Sequence, residues 1–386
     1  MNFFEGGMSR LAVSAVTKEA PAYVQFYVTA RCNLRCEQCN VIYANADQQE
    51  ATTDQCRKIA ANLAKIGTSV VLLTGGEPFV RKDIVEIAEA FIRAGVHPRL
   101  QTNGLAKRSQ LEDLARIGAH DISISLDSVV PSTQDIINGN FNRSWRRAIE
   151  TMADVNAIFS NDSFAVIGCV LAPRNIDHIH AVIEFATHIG WHVSLVPAHT
   201  TPSSEPRSFR TFDPALKFPE QDYPRVFETL EKVKTMRRQG FNVYDSDEYL
   251  DDIYRFITGQ PIQWRRRNDG VCDAPNLYFA IQPNGDMAVC CDFRLSNPFP
   301  VYAEDFPARY RDRTMRAEAL SVARACSGCM YGSFPEISIS SRFLTPMLHR
   351  AKLFLLNSGG KRSLNQLTAD QMVEAAHDIA GKYQLA

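Results

Sequence analysis

Three closely spaced cysteines near the start of the chain are the residues best suited to chemistry. Cys32, Cys36 and Cys39 are separated by three and then two residues, directly after the apolar run 23–28. On a loop that follows a strand, three such thiolates can meet at one metal centre. Three thiolates leave one iron of a four-iron cluster without a protein ligand, so a small molecule can bind there. A zinc site and buried, unreactive thiols are the alternatives, although no histidine or further paired cysteine follows nearby to complete a zinc site.

This spacing resembles that of the radical S-adenosylmethionine (SAM) enzymes. The resemblance implies that the three cysteines hold a [4Fe-4S] cluster and that the methionine end of SAM binds its fourth iron. One electron, from an external donor of the flavodoxin or ferredoxin type, then cleaves SAM to a 5'-deoxyadenosyl radical. The resemblance therefore implies an oxidoreductase that abstracts a hydrogen atom from its substrate.

Further matches to this family lie at the ends of predicted strands. The turn Gly75-Gly76-Glu77-Pro78 has paired glycines, which allow close backbone approach to a ligand, and a carboxylate that accepts hydrogen bonds from an ammonium group. The resemblance implies that this turn holds the amino group of SAM. It also implies that polar residues at later strand ends contact the ribose and carboxylate of SAM, here Asn103, Ser125 and Asp127. A plain loop and ordinary half-buried strand residues are the alternatives.

One position departs from the family pattern. The family usually has an aromatic residue just before its third cysteine, where the ring packs near adenine, and this chain has Gln38 there. The contact with adenine is therefore left open, with Tyr43 as a substitute if its loop folds back. Cluster binding does not depend on this residue.

The elements that must position these loops alternate between short β-rich runs and amphipathic helical stretches. The predicted strands are 23–28, 69–73, 97–101, 121–126, 163–171 and 191–196. The predicted helices are 53–66, 83–94, 108–117, 142–158 and 175–189. Strands rich in Val, Leu and Ile indicate an α/β fold with a parallel sheet, whose active site forms at the C-terminal strand ends. Because a closed barrel needs eight units, we expect a partial (β/α)6 barrel, which the resemblance also implies.

A second group of cysteines lies in the last third of the chain. Cys272 precedes a predicted β-hairpin with Asn284-Gly285 in its turn, Cys290 follows that hairpin, and Cys326 and Cys329 form a C-x2-C pair. The Asn-Gly turn would bring Cys272 and Cys290 to the same end of the hairpin. The pattern resembles the Twitch form of the SPASM domain, which implies one auxiliary [4Fe-4S] cluster on these four thiolates. Zinc on the same ligands is the alternative.

The remaining cysteines and the composition point to an ordinary globular protein. The chain has 386 residues, ten cysteines and a formal net charge of −1, which gives no indication of nucleic-acid binding. No secretory signal precedes the cysteines, so ligation fits better than disulfide formation. We expect Cys56 and Cys169 to be core residues and Cys291 to point away from the cluster. Without a signal peptide or a membrane span, a cytoplasmic location is expected.

Changes in pattern along the chain predict five segments. They are an arm at 1–21, too short for a separate peptide-binding domain, the barrel at 22–197, a helical connector at 198–270 that starts in a Pro- and Ser-rich stretch, a smaller α+β cluster-binding domain at 271–335, and a helical tail at 336–386. The run Arg265-Arg266-Arg267 is either a solvated face or a contact for an anionic substrate. The apolar and basic stretch 341–356 either docks on the protein or lies at a membrane interface.

These observations predict a biosynthetic enzyme that oxidises a small molecule, with the auxiliary cluster accepting the second electron. A peptide-maturing enzyme and a lipid- or tetrapyrrole-modifying enzyme are the alternatives within the family. An iron-sulfur protein that transfers electrons or binds a partner, without catalysis, is the alternative outside it. The turn Gly75-Gly76-Glu77-Pro78 disfavours that last alternative, because electron transfer needs no methionine-binding turn.

Overall fold

Six parallel strands form the centre of the protein. The computed structural model describes residues 20–39, 49–159, 163–199, 214–265, 272–326, 328–351 and 364–385. The strands are β1 (Tyr23–Thr29), β2 (Val70–Gly75), β3 (His97–Thr102), β4 (Ile122–Ser125), β5 (Ala165–Leu171) and β6 (His192–Pro197). Each pairs in parallel with the next strand of the sequence. The predicted partial (β/α)6 barrel is confirmed.

Helices cover the outer face of this sheet. They are α1 (Thr53–Lys65), α2 (Ile84–Arg93), α3 (Arg108–Ile117), α4 (Pro131–Ile137), α5 (Ser144–Ile158) and α6 (Ile179–Ile189). The five predicted helices are confirmed, with a 3-10 turn before α6. Helix α4 was not predicted from the sequence, although Pro131 at its first turn is a recognised start signal.

The two faces of the sheet differ in exposure. Outward residues such as Leu100, Ile122 and Ile167 are fully buried under the helices. The inward residues that alternate with them are half-buried, among them Gln25, Leu72, Arg99, Gln101, Ser123, Ser125, Gly168 and Ser194. Large aliphatic side chains fill the interior of a packed barrel. The inward residues here are mostly small or polar, so the barrel encloses an accessible space, which we call the lumen.

The predicted hairpin continues the barrel sheet. Strands β7 (Tyr278–Ile281) and β8 (Met287–Ala288) are antiparallel, as predicted, and β7 pairs in parallel with β1, with Tyr278 opposite Tyr23. The resulting order is β6-β5-β4-β3-β2-β1-β7-β8 in one eight-stranded sheet. The sequence pattern gave no indication of this pairing, because it joins strands more than 240 residues apart.

The C-terminal region covers the open side of the partial barrel. Beyond β6 lie α7 (Tyr223–Arg238) and α8 (Asp247–Ile257), and beyond β8 lie α9 (Phe306–Tyr310), α10 (Arg313–Ala325), α11 (Ser333–Arg342), α12 (Leu344–Ala351) and α13 (Ala369–Lys382). Phe334 of α11 stacks on Tyr278 at 4.4 Å and contacts the edge of Tyr23. Glu336 of the same helix accepts a hydrogen bond from the Ser246 amide at 2.7 Å. Helix α11 therefore bridges the gap between β7 and the far side of the barrel.

The last helix packs on the outside of the barrel. Thr368 and Gln371 form a capping box at the start of α13. Asp370 pairs with Arg146 of α5 at 2.7 Å, and Lys382 pairs with Glu184 of α6 at 2.6 Å. These contacts place α13 against two barrel helices.

Several sequence-based expectations remain predictions. The structure does not describe residues 1–19, the Pro- and Ser-rich stretch 200–206, Tyr43, Arg266, Arg267 or the segment 352–356. Within the described part of 341–356, Leu344, Met347 and Leu348 are exposed on α12. Among the described residues, no helix has both the length and the apolar character needed to cross a membrane. The five segment boundaries also remain predictions.

Candidate active site

The loop that carries Cys32, Cys36 and Cys39 is fixed by backbone hydrogen bonds from two sides. At the end of β2, the amides of Gly76 and Glu77 donate to the carbonyls of Thr29 and Arg31, both at 2.8 Å. On the other side, the amide of Glu37 donates to the carbonyl of Ile137, at the end of α4, at 3.0 Å. The three-cysteine site, as we call these residues, thus lies at the C-terminal strand ends.

The thiols of this site lie close enough to influence one another. Cys32 and Cys36 each interact electrostatically with Cys39, and burial raises the pKa of both. Within the described residues, no three His, Cys, Asp or Glu side chains are close enough to share a single metal ion. A four-iron cluster binds each thiolate to a separate iron and so requires more widely spaced sulfurs than one zinc ion does. The donor set fits such a cluster, because three interacting thiols on one loop can bind three irons and leave the fourth open.

Gly75 and Gly76 permit the close contact between this loop and β2. A Cβ atom at Gly75 would lie 2.2 Å from the carbonyl oxygen of Thr29, and one at Gly76 would lie 2.2 Å from that of Arg31. Gly75 also has a φ of +140°, which side chains rarely adopt. No other residue fits at either position without moving the loop.

Glu77 is buried beneath the loop. Its Oε1 accepts hydrogen bonds from the Phe79 amide at 3.0 Å and the Thr102 hydroxyl at 2.9 Å, and its Oε2 accepts one from the Asn103 amide at 2.7 Å. Burial raises its pKa to about 7 despite these donors. With 1 % exposure, the carboxylate joins the end of β2 to the end of β3. These contacts fix Glu77 in place, and its contact with the amino group of SAM remains a prediction.

Asn103 lies directly beside the three-cysteine site. Its side-chain amide donates to Asn33 Oδ1 at 2.7 Å and approaches the Cys32 sulfur at 3.8 Å. Its backbone amide is the one bound to Glu77. Asn103 thus links the cysteine loop to the joined ends of β2 and β3.

Asp127 lies below the cysteine loop, and Ser125 is half-buried at the end of β4. The Oδ1 atom of Asp127 accepts a hydrogen bond from the Val170 amide at 2.6 Å, and its Oδ2 accepts one from Gln38 Nε2 at 2.9 Å. Burial raises the pKa of Asp127 to about 6. Gln38, which replaces the usual aromatic residue, therefore ties the cysteine loop to β4 and β5.

Sequence reasoning missed the contribution of α4 and the residues after it. A Cβ atom at Gly139 would lie 2.3 Å from the carbonyl oxygen of Arg35, so this position needs glycine. The Cys36 thiol lies 3.5 Å from Asn138 Oδ1. The Asn-Gly pair at 138–139 was the available signal, because it indicates a tight turn.

The other four predicted metal ligands meet in the C-terminal region. Cys272, Cys290, Cys326 and Cys329 line one cavity together with Trp264, Tyr278, Val289 and Phe334. Burial raises the pKa of Cys272, and raises that of Cys290 and Cys329 further. A bound metal would compensate the charge of thiolates in such apolar surroundings. We call these residues the four-cysteine site.

Cys291 and Arg265 differ in their relation to this cavity, because Arg265 lines it and Cys291 does not. Cys291 is buried outside it, 3.5 Å from Gln25 Oε1, in agreement with the expectation that it points away. Arg265 donates to the carbonyl of Ala323 at 2.8 Å and is 7 % exposed. The sequence-based interpretation of a solvated arginine run is therefore wrong for Arg265, because its guanidinium binds carbonyls at the end of α10. Cys56 and Cys169 are buried in the core, as predicted.

The chain is similar to proteins of known function. Residues 26–186 match the family model of the radical SAM superfamily. The chain is 32% identical to the AdoMet-dependent heme synthase of Methanosarcina barkeri, over 46% of this chain and 52% of that protein. It is also 32% identical to the PqqA peptide cyclase of Bradyrhizobium diazoefficiens, over 46% of this chain and 50% of that protein. The chain thus spans about half the length of these curated relatives.

The likeness in fold extends into the C-terminal region. The mycofactocin maturase MftC of Mycolicibacterium smegmatis is 30% identical over 70% of this chain and 64% of that protein. The structure of Streptococcus suis SuiB bound to S-adenosylmethionine aligns with a TM-score of 0.63 and 18% identity, over 89% of this chain and 78% of SuiB. At that identity, the structural match supports the fold alone.

Proposed function

We propose that this chain is a radical SAM oxidoreductase whose Cys32, Cys36 and Cys39 hold a [4Fe-4S] cluster with SAM, a proposal that the match of residues 26–186 to the radical SAM superfamily model supports. When bound, the cluster and SAM would supply a 5'-deoxyadenosyl radical that removes a hydrogen atom from the substrate. An external one-electron donor of the flavodoxin or ferredoxin type would start each turnover. The observation that carries the proposal is the backbone pairing of the cysteine loop with the Gly75-Gly76-Glu77 turn.

The residues of this chain have positioning and shielding roles in that reaction. Gly75 and Gly76 let the cysteine loop approach β2 closely, and Glu77 fixes the turn from below. Asn103 and Gln38 tie the loop to the ends of β3 and β4, where Ser125 and Asp127 lie. The lumen below this loop would hold the substrate and limit its contact with water.

We further propose that the four-cysteine site holds one auxiliary [4Fe-4S] cluster. When bound, this cluster would supply an acceptor for the second electron of a net oxidation. Four thiolates leave it no open iron, and Trp264, Tyr278 and Phe334 restrict solvent access. Reduction potentials of such clusters depend on solvent exposure and hydrogen bonding, so this apolar lining would set the potential.

A peptide is the substrate class that the relatives favour. One relative is named a PqqA peptide cyclase and another a mycofactocin maturase. The solved structures with this fold include SuiB bound to its precursor peptide SuiA. A small molecule is the second candidate, because the relatives also include a heme synthase and a GTP 3',8-cyclase.

Formation of 5'-deoxyadenosine tests the central step. Anaerobically reconstituted protein is reduced with dithionite in the presence of SAM, and the product is quantified by chromatography. We expect product from the wild type and none from Cys36→Ala, with Cys56→Ala as a buried-cysteine control that retains it. A fully clustered, reduced wild type that forms no 5'-deoxyadenosine contradicts the proposal and favours a non-catalytic iron-sulfur protein.

A further inference from the structure

The lumen has a polar wall with one guanidinium in its middle layer. Arg99 of β3 is in register with Leu72 of β2, which is in register with Gln25 of β1. Residues in register on parallel strands share a face, so Arg99 lies on the half-buried inner face with both of them. It is three residues below the end of β3 at Thr102, about 10 Å at the usual rise of a strand. A molecule reaching from the cysteine loop into the lumen would meet it.

Arg99 has no counter-ion at contact distance in the part of the chain that the structure describes. Among the described residues, no carboxylate lies within ion-pair distance of its guanidinium and no hydrogen bond from it is found; its contact is with the ring of Phe164, at 5.0 Å. Arg99 interacts electrostatically with Asp121, whose Oδ2 pairs with His97 at 2.9 Å and whose Oδ1 accepts a hydrogen bond from the Phe164 amide at 2.8 Å. Both oxygens of Asp121 are therefore already used.

A second donor without a partner faces the same space. Tyr23, the first residue of β1, is 4 % exposed, and its hydroxyl has no hydrogen-bond partner among the described residues. The hydroxyl of Ser333 is the polar side chain closest to it on α11. Arg99 lies near enough to act electrostatically on this hydroxyl. An unsatisfied buried hydroxyl costs free energy, so its retention beside an unpaired guanidinium calls for a ligand.

The geometry points to an anion subsite inside the lumen, in which Arg99 and Tyr23 bind a carboxylate of the substrate. This inference rests on the proposed function, because it assigns the substrate class of the same active site. Arginine presents paired N–H donors that match a carboxylate, and a tyrosine hydroxyl adds a third donor. An acidic side chain or chain terminus of a peptide, or an acidic small molecule, satisfies this requirement.

Benzoate is a suitable probe, with benzamide as its uncharged counterpart and inorganic phosphate as the competing anion. The melting temperature of the full, anaerobically reconstituted chain is measured against the concentration of each at constant ionic strength. We expect benzoate to raise the melting temperature of the wild type and of Arg116→Gln, an exposed-arginine control. In Arg99→Gln the benzoate affinity should fall about tenfold to a hundredfold, with a smaller loss in Arg99→Lys and Tyr23→Phe.

Each outcome decides the assignment. An equal rise with benzamide, or an undiminished rise in Arg99→Gln, overturns it, and a rise with phosphate alone replaces the carboxylate by a phosphate ester. The near-ultraviolet circular dichroism of Arg99→Lys verifies that the lumen remains folded. SAM cleavage by the same wild-type preparation separates the two proposals. If SAM is cleaved but benzoate binding does not depend on Arg99, only the subsite proposal is rejected. If benzoate binding depends on Arg99 but SAM is not cleaved, only the proposed radical SAM activity is rejected.

Discussion

The two cysteine sites differ in what surrounds their thiols. The three-cysteine site lies on a loop at the mouth of the lumen, held mainly by backbone hydrogen bonds from β2 and α4. The four-cysteine site lies in a cavity lined mainly by aromatic and aliphatic side chains, together with Arg265 and Asp292. The first arrangement leaves a coordination position beside a space that a substrate can enter. In the second, four thiolates would leave a bound cluster no open iron, which suits electron transfer better than ligand binding.

The sites also depend on the fold in different ways. The first site requires glycine at positions 75, 76 and 139, because a Cβ atom there would collide with backbone carbonyls of the cysteine loop or the end of β1. The four-cysteine site depends on the pairing of β7 with β1 and on the carbonyl contacts of Arg265. Loop docking is therefore the sensitive feature of the first site, and long-range assembly is that of the second.

The sharpest test of this comparison is removal of the first ligand set alone. Cys32→Ala/Cys36→Ala/Cys39→Ala should lower the iron content from about eight to about four atoms per chain, because the four-cysteine site forms independently. Iron and sulfide analysis after anaerobic reconstitution measures this change. The Cys272→Ala/Cys290→Ala pair provides the reciprocal variant. If the triple variant contains zinc in place of the remaining iron, or no metal at all, the four-cysteine site does not hold an independent iron-sulfur cluster. The proposed electron acceptor would then be rejected.

The buried carboxylate under the first site predicts a pH dependence. The pKa of Glu77 in the fold, about 7, lies above its ordinary value of 4.5, so the folded state holds this proton more tightly. Between pH 4.5 and 7 the free energy of unfolding should therefore fall as pH rises, by up to about 3 kcal/mol from this group. Glu77→Gln should lack that slope in urea denaturation series. Exposed Glu112→Gln is the control, and an unchanged slope in Glu77→Gln would refute the assignment.

Close backbone contact at the first site predicts a strong effect of one methyl group. Gly76→Ala should displace the cysteine loop and weaken SAM binding about tenfold to a hundredfold, equivalent to about 1–3 kcal/mol. Equilibrium dialysis against labelled SAM measures the affinity. Gly381→Ala on α13 is the matched control, since a Cβ there meets no atom within 4 Å. Equal SAM affinity in both variants would show that the loop adapts.

The smallest expected effect concerns the junction between the barrel and the C-terminal region. Asn62 of α1 donates from Nδ2 to the carbonyls of Val301 at 2.8 Å and Ala303 at 2.7 Å. Asn62→Ala should lower the free energy of unfolding by about 1–3 kcal/mol, because two carbonyls lose their donor. Denaturant unfolding measures this, with exposed Lys58→Ala on the same helix as control. Two separate transitions in the wild type would show that the regions unfold independently.

Local patterns accounted for most of the barrel. The alternation of apolar strands with amphipathic helices predicted all six strands and five of its helices, because both periodicities lie within a few turns of chain. Helix α4 was missed because its seven residues are too few for a clear period. The Asn-Gly turn predicted the β7–β8 hairpin for the same local reason.

The sequence by itself determined the two sets of cysteines, the Gly75-Gly76-Glu77 turn and the class of fold, since each depends on residues close together in the chain. The tertiary structure decided which side chains are buried and what they contact. It placed Glu77 beneath the turn, joined Gln38 to Asp127 and brought Arg99 near Tyr23 within the lumen. It also paired β7 with β1. These relations join residues distant in sequence, and packing and hydrogen bonding among whole elements determine them.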